Sequence, residues 1–97
     1  MTTQAVQVAN IIKSQIGTRN LMCWGSHNFG VINEADGGLV FKIARNNKLL
    51  GGGWVRIVLD FNDTYHVQIF NNRKRIIYDQ EMLYCDQLAE VLWNQLG

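Results

Sequence analysis

The 97-residue chain contains no proline, only two cysteines and no long uninterrupted run of apolar residues. Without an apolar run of about 20 residues, a membrane-spanning helix of ordinary length is excluded. The opening residues, Met1 to Ala5, lack the basic and apolar regions of a secretory signal peptide, so we expect a cytoplasmic protein. In that reducing compartment Cys23 and Cys85 are expected to be reduced and buried, with no disulfide between them.

Net charge is nearly absent as well, at +1, so bulk charge does not indicate nucleic acid or a membrane surface as the partner. The charges are nevertheless unevenly distributed. Residues 37–78 hold seven Lys or Arg against two Asp, whereas residues 79–97 hold four Asp or Glu and no basic residue. This pattern indicates either compensation within the molecule or two faces that meet other molecules. With 47% hydrophobic residues, the chain predicts one globular domain over residues 1–97.

Apolar spacing predicts an α+β fold, with an N-terminal helix, an antiparallel β-meander of four to five strands and a C-terminal helix. The first helix is predicted over residues 3–16, where apolar residues recur every three or four positions. Strands are predicted at about 21–26, 39–45, 54–61, 65–70 and 74–78, with Gly51–Gly53 as a flexible connection and Asn71-Asn72 as a two-residue hairpin turn. The last helix is predicted over residues 80–96, with Asp79 as its N-cap.

Alternation along the predicted strands assigns two faces to the sheet. One face is consistently apolar, and we expect both helices to pack on it; its members are Leu39, Phe41, Ile43, Val55, Ile57, Leu59, Val67 and Ile69. A solvated second face would normally carry Thr, Ser, Glu and Lys. This one instead mixes aromatic, aliphatic and basic side chains, namely Val40, Lys42, Ala44, Trp54, Arg56, Val58, His66, Gln68 and Phe70. The mixture indicates a face that contacts another molecule.

Several short pieces of the chain occur together in one order. They are Ile16-Gly17, Trp24-Gly25 with Asn28-Phe29, Gly38-Leu39 with Phe41-Lys42-Ile43, Val55-Arg56-Ile57 with Leu59, Asp63 with Tyr65, and Tyr84 with Asp86-Gln87-Leu88. Over about residues 12–88 the chain resembles a family of small uncharacterised proteins of bacterial phages and plasmids. The resemblance implies an origin in a mobile element, and it carries over no catalytic residue.

Residue types used in metal binding and catalysis are present but poorly spaced. Cys23 and His27 form a single Cys-x₃-His pair and the other Cys and His are isolated, whereas structural zinc needs four nitrogen or sulfur ligands. Cys23, Ser26 and His27 lack the surroundings of an activated nucleophile. The Gly51–Gly53 run precedes a strand and so matches no phosphate-binding loop. We therefore expect a protein that is not an enzyme and has no metal, no cofactor and no small-molecule substrate.

The aromatic and arginine content of the second sheet face is typical of a protein interface. The predicted interface comprises Trp54, Arg56, Val58, Phe70 and Trp93, the last on the C-terminal helix. Its expected partner is a second copy of the chain, giving a homo-oligomer, or a host protein. A simpler interpretation is that the three large aromatic residues only extend the core.

Nucleic acid is the alternative partner, and no membrane partner is expected. Basic side chains neutralise phosphates and exposed aromatic rings stack on bases. The candidate residues are Lys42, Arg56, Arg73, Lys74 and Arg75. The last three are predicted to be exposed at the tip of a hairpin.

Overall fold

The computed structural model describes residues 2–32, 37–44, 51–60 and 64–96. Its elements in chain order are α1 (Thr2–Ile16), α2 (Thr18–Cys23), β1 (Ser26–Ile32), β2 (Gly38–Ile43), β3 (Gly53–Leu59), β4 (Tyr65–Asn71), β5 (Ile76–Leu83), a 3₁₀ helix (Cys85–Gln87) and α3 (Leu88–Leu96). The strands form one antiparallel sheet in sequence order. The predicted α+β meander between two helices is thus confirmed, while positions 45 and 61 of the predicted strands lie outside the described residues.

Both helices pack on one face of the sheet, as the alternation predicts. The core joins Val8, Ala9, Ile12 and Ile16 of α1 to Leu88, Leu92 and Leu96 of α3, across the strand residues Leu39, Phe41, Ile43, Val55, Ile57, Val67 and Ile69. Each of those strand residues exposes 2% of its surface or less, and Leu59 packs half-buried against them. Burial of this apolar surface is the main favourable term in folding.

The strand predicted at residues 21–26 is wrong, because this segment ends a helix and β1 begins only at Ser26. Gly17, with φ of +97°, ends α1, and its N–H donates to the Lys13 carbonyl. The chain then turns into α2, where Leu21 and Trp24 are buried three positions apart, at helical spacing. A short apolar run does not separate a strand from a buried helical turn by periodicity alone.

The predicted boundary between the last strand and the last helix is also wrong. β5 continues to Leu83, and Asp79, the predicted N-cap, lies inside it opposite Gln68. Two register irregularities interrupt the alternation of β5, so its apolar residues do not repeat with a period of two. Glu81 and Met82 therefore belong to the strand, and α3 itself starts at Leu88.

Both edge strands of the sheet carry β-bulges. In β1 the register shifts between His27 and Gly30, and the intervening Asn28 has φ of +54°. In β5 the register shifts twice, and Met82 has φ of +61°. Bulges of this kind disrupt the row of backbone groups that another strand would need for pairing. Extension of the sheet by a partner strand is therefore disfavoured at both edges.

The Gly51–Gly53 run, predicted as a flexible connection, reaches into the sheet. Gly53 belongs to β3, and Gly52 is buried with φ of +77°. A Cβ atom on Gly53 would overlap the Phe70 carbonyl oxygen, so the glycine allows two backbones to approach closely. The run is therefore a packing site between β3 and the β4–β5 hairpin.

The predicted burial of the two cysteines is wrong, since both are free and exposed. Cys23 ends α2 and Cys85 begins the 3₁₀ helix. The inward positions beside them are taken by Leu21, Trp24 and Leu88, which expose 4% of their surface or less. The helical turns thus direct the thiols to solvent.

Candidate functional site

The face of the sheet opposite the helices, here called the outer face, carries the side chains that alternate with the core. Cross-strand pairing brings neighbouring side chains together in rows. The first row takes one residue from each strand, namely His27, Lys42, Trp54, Phe70 and Ile76. The second row contains Val40, Arg56, Gln68 and Asp79. The predicted placement of Lys42, Trp54, Arg56 and Phe70 on one face is therefore confirmed.

The first row combines a cation with aromatic surface. The Lys42 ammonium lies 5.3 Å from the centre of the Trp54 ring, within the range of a cation–π contact. Trp54 and Phe70 are half-buried, and Ile76 at the edge of the sheet exposes 50% of its surface. The row thus offers a partly solvated aromatic strip next to a positive charge.

The hairpin between β4 and β5 projects from the same end of the sheet. Arg73, Lys74 and Arg75 are all exposed there, as predicted. The predicted two-residue turn is wrong: the Asn71 N–H donates to the Arg75 carbonyl, and Lys74 takes the left-handed conformation at φ of +65°. The Asn71 side-chain oxygen accepts from the backbone N–H groups of Arg73 and Arg75, at 2.9 and 3.0 Å. The turn is therefore built by Asn71 and presents the three basic side chains to solvent.

We call this region the basic–aromatic end; it comprises Lys42, Trp54, Phe70, Arg73, Lys74 and Arg75. Phe70 pairs with Ile76 directly below the hairpin loop, so the first row and the tip are neighbours. Four of the six residues are positively charged. The nearest acidic position in the described rows, Asp79, lies in the second row and is bonded to its own neighbours.

A hydrogen-bonded network crosses the second row and continues to His66. Arg56 donates to the Gln68 side-chain oxygen at 3.3 Å, and the Gln68 amide donates to Asp79 at 3.2 Å. His66 Nε2 lies 2.5 Å from the other Asp79 oxygen. The hydrogen bonds from His66 and then Gln68 hold the pKa of Asp79 below its usual value. Asp79 thus serves the sheet as an ionised acceptor, not as a helix cap.

A change of Asp79 to Asn is expected to destabilise the fold more at neutral than at acidic pH. A carboxyl group whose pKa is lowered by folding stabilises the protein above its unfolded pKa, about 3.9, and this stabilisation is lost as pH falls through the folded pKa. Urea unfolding at about pH 7 and about pH 2.5 measures the difference. Glu81→Gln, an exposed carboxylate on the same strand, is the control and should show no such loss of effect. An Asp79→Asn penalty that does not shrink in acid would contradict the assignment.

Two residues of the predicted interface do not fit one exposed patch. Val58 lies on the outer face but exposes only 7% of its surface, because it belongs to the central strand between Gly38 and His66. Trp93 lies on α3, in the helical layer, with 41% of its surface exposed. Its ring packs edge-on against Trp24 at 5.3 Å. Trp93 is therefore separated by the sheet from Trp54 and cannot share a surface with it.

A pocket of about 270 Å³ opens beside the first row. Its lining includes His27, Lys42, Trp54, Asn72 and the Gly51–Gly53 run. These residues come from four separate segments of the chain, which meet only when β2 and β3 pair and the hairpin folds over them. For this reason neither the charge pattern nor any motif in the sequence predicts the pocket.

The residues considered for catalysis do not form a nucleophile–base pair. His27 Nδ1 lies 2.9 Å from the Gly25 carbonyl oxygen and so is not turned to Ser26. The Ser26 hydroxyl is buried without a hydrogen-bond partner in the described part of the chain. Over the same residues, no group of three or more His, Cys, Asp or Glu side chains is placed to hold a metal ion.

No family model, no curated protein and no solved structure matches this chain. Among the described helices none has the length and apolar character that crossing a bilayer requires.

Proposed function

We propose that the protein is a non-enzymatic binding module and that its partner is single-stranded nucleic acid. The binding surface is the basic–aromatic end of the outer face. The observation that carries the proposal is the joining of four cationic side chains to the aromatic pair Trp54 and Phe70 at one end of one sheet.

The chemistry of this surface is complementary to a polyanion with flat bases. Lysine and arginine neutralise phosphates along a strand, and aromatic rings on a sheet provide stacking surface for bases of any sequence. A single strand suits the surface better than a duplex, because the bases of a duplex are stacked on each other. The bulged edges of the sheet also favour binding on the face over pairing with another strand.

Self-association through the same face is the second candidate. It is favoured by the apolar contact surface of Trp54, Phe70 and Ile76, which lie side by side on three adjacent strands. Aromatic residues at the centre of an interface often dominate its binding energy. A two-fold contact across this face, however, would bring two sets of four cations close together. We therefore rank a protein partner, whether a second copy or a host protein, below nucleic acid.

The test is a salt titration of binding to a fluorescein-labelled single-stranded 20-mer, as DNA and as RNA, followed by anisotropy. Four phosphate contacts, one for each cation of the basic–aromatic end, predict a slope of log K against log salt of about −3. An unlabelled duplex of the same sequence should compete at least about tenfold less well, because its bases cannot stack on Trp54 and Phe70.

Light scattering on the same sample separates the two candidates. A monomer that binds the single strand with the expected salt slope supports nucleic acid. A dimer that dissociates on Trp54→Ala, together with no salt-dependent binding, would reject nucleic acid and support self-association. If the protein neither binds the single strand nor forms a dimer, both candidate functions are rejected.

The place of action follows from the resemblance noted in the sequence and is part of the proposal. A protein of such a mobile element would work in the cytoplasm of its bacterial host.

A further inference from the structure

We propose that the pocket beside the first row binds a nucleoside monophosphate unit, either as a free nucleotide or as the phosphorylated end of a strand. Only the second source rests on the proposed function. The sequence predicts no small-molecule ligand. This inference differs from that prediction because the pocket forms only in the folded sheet and is not visible in the sequence.

Two residues of the lining are cross-strand partners, His27 on β1 and Lys42 on β2. His27 Nδ1 lies 2.9 Å from the Gly25 carbonyl oxygen, which can only accept, so Nδ1 carries the hydrogen and donates. The ring is thereby oriented, and Nε2 makes no hydrogen bond within the described residues. Nε2 is therefore available to a ligand bound between His27 and Lys42.

The rest of the lining also suits an anion attached to an aromatic group. Asn72 contributes a side-chain amide, and the described residues of the lining include neither Asp nor Glu. The Trp54 ring forms an apolar wall next to Lys42. One ligand can therefore place its phosphate beside Lys42 and His27 and its base against the wall.

The volume of the pocket is that of a site for a small ligand. At about 270 Å³ the pocket falls just below the roughly 300–1,000 Å³ of pockets that hold drug-sized molecules. The glycine run leaves this space open, and a Cβ atom on Gly51 would collide with the Asn72 amide. A bare phosphate would leave the Trp54 wall without contact.

Calorimetric titration of the full chain with adenosine 5′-monophosphate, adenosine and inorganic phosphate tests the ligand class. The monophosphate is expected to bind at least about tenfold more tightly than either fragment, since only it reaches both Lys42 and the Trp54 wall. Equal binding of adenosine and its monophosphate, or no binding of the monophosphate, would overturn the proposal.

Substitution of His27 by Gln tests the site. His27 is exposed, so the variant should fold, and the monophosphate should bind about tenfold more weakly. Arg19→Gln removes a charge from exposed α2, outside the pocket, and is the matched control that should bind as the wild type does. Unchanged affinity in His27→Gln would place the ligand elsewhere and overturn the proposal.

A second experiment compares binding of two deoxythymidine 12-mers, one with a 5′-phosphate and one with a 5′-hydroxyl group. It separates the two possible sources of the ligand, a free nucleotide and the phosphorylated end of a strand. Tighter binding of the phosphorylated strand, lost in His27→Gln, supports capture of a strand end. If both strands bind equally and the free monophosphate does not bind, the pocket proposal fails while the proposed function stands. If the free monophosphate binds through His27 and neither strand binds, the proposed function fails and the pocket remains a nucleotide site.

Discussion

Simultaneous substitution of Arg73, Lys74 and Arg75 by Gln is expected to weaken binding of a single strand about 50-fold at about 150 mM salt. Each phosphate contact on a single strand releases about 0.7 counterion, which near this salt concentration corresponds to about fourfold in affinity. Three lost contacts multiply to the stated factor, and the salt slope should flatten by about 2. Anisotropy with the labelled 20-mer measures both quantities.

The fold should survive this triple change, because the three side chains are exposed and the turn depends on Asn71 and backbone hydrogen bonds. An unchanged melting temperature is therefore the first check. The charge-preserving pair Arg73→Lys and Arg75→Lys is the matched control, and it should keep the salt slope of the wild type. If the glutamine variant binds with the affinity and slope of the wild type, the hairpin tip takes no part in binding.

Replacement of Gly53 by Ala is expected to cost about 3 kcal/mol of the free energy of unfolding. The added Cβ atom would overlap the carbonyl oxygen of Phe70, a backbone atom held in the β3–β4 pairing. Backbone atoms of a central strand cannot move aside as a side chain can, so the overlap forces the strands apart. Urea unfolding followed by Trp fluorescence measures the change.

Gly30 provides the control within the same sheet. A Cβ atom there would lie 3.1 Å from the tip of the Val40 side chain, which can shift, so Gly30→Ala should cost less than about 1 kcal/mol. Comparable penalties at the two positions would show that loss of glycine flexibility, not the contact with Phe70, sets the effect. In that case the close approach of β3 to β4 would not explain the glycine at position 53.

The sequence predicts the core well because each core element has its own local period. The three- and four-residue spacing of α1 and the alternation of Leu39, Phe41 and Ile43 can be read without knowing any neighbour. A shift of the strand register by one residue would move all of its apolar side chains from the core into water. These positions therefore allow only one register. The same alternation places Lys42, Trp54 and Phe70 on the outer face.

The prediction fails where the period is broken or where a short segment could satisfy two structures. Bulges interrupt the alternation of β5, and the residues after Tyr78 then resemble the start of a helix. The pairing of Asp79 with Gln68 places this segment in the strand. The two residues pair across a hairpin with a three-residue loop, and the turn predicted for that hairpin is also wrong. Such pairing depends on the loop length and the register of the hairpin, which the apolar pattern of the segment does not contain.

The sequence by itself thus determined the α+β class, the two-helix core face and the collection of basic and aromatic residues on the opposite face. Only the tertiary structure decided that Trp93 lies in the other layer, that Val58 is buried, and that the exposed tip lies beside the aromatic row. Only the structure, too, assembles the pocket of His27, Lys42 and Trp54. The physical reason is that face assignment follows from backbone geometry within one strand, whereas neighbourhood across strands follows from register, which is set by the whole sheet.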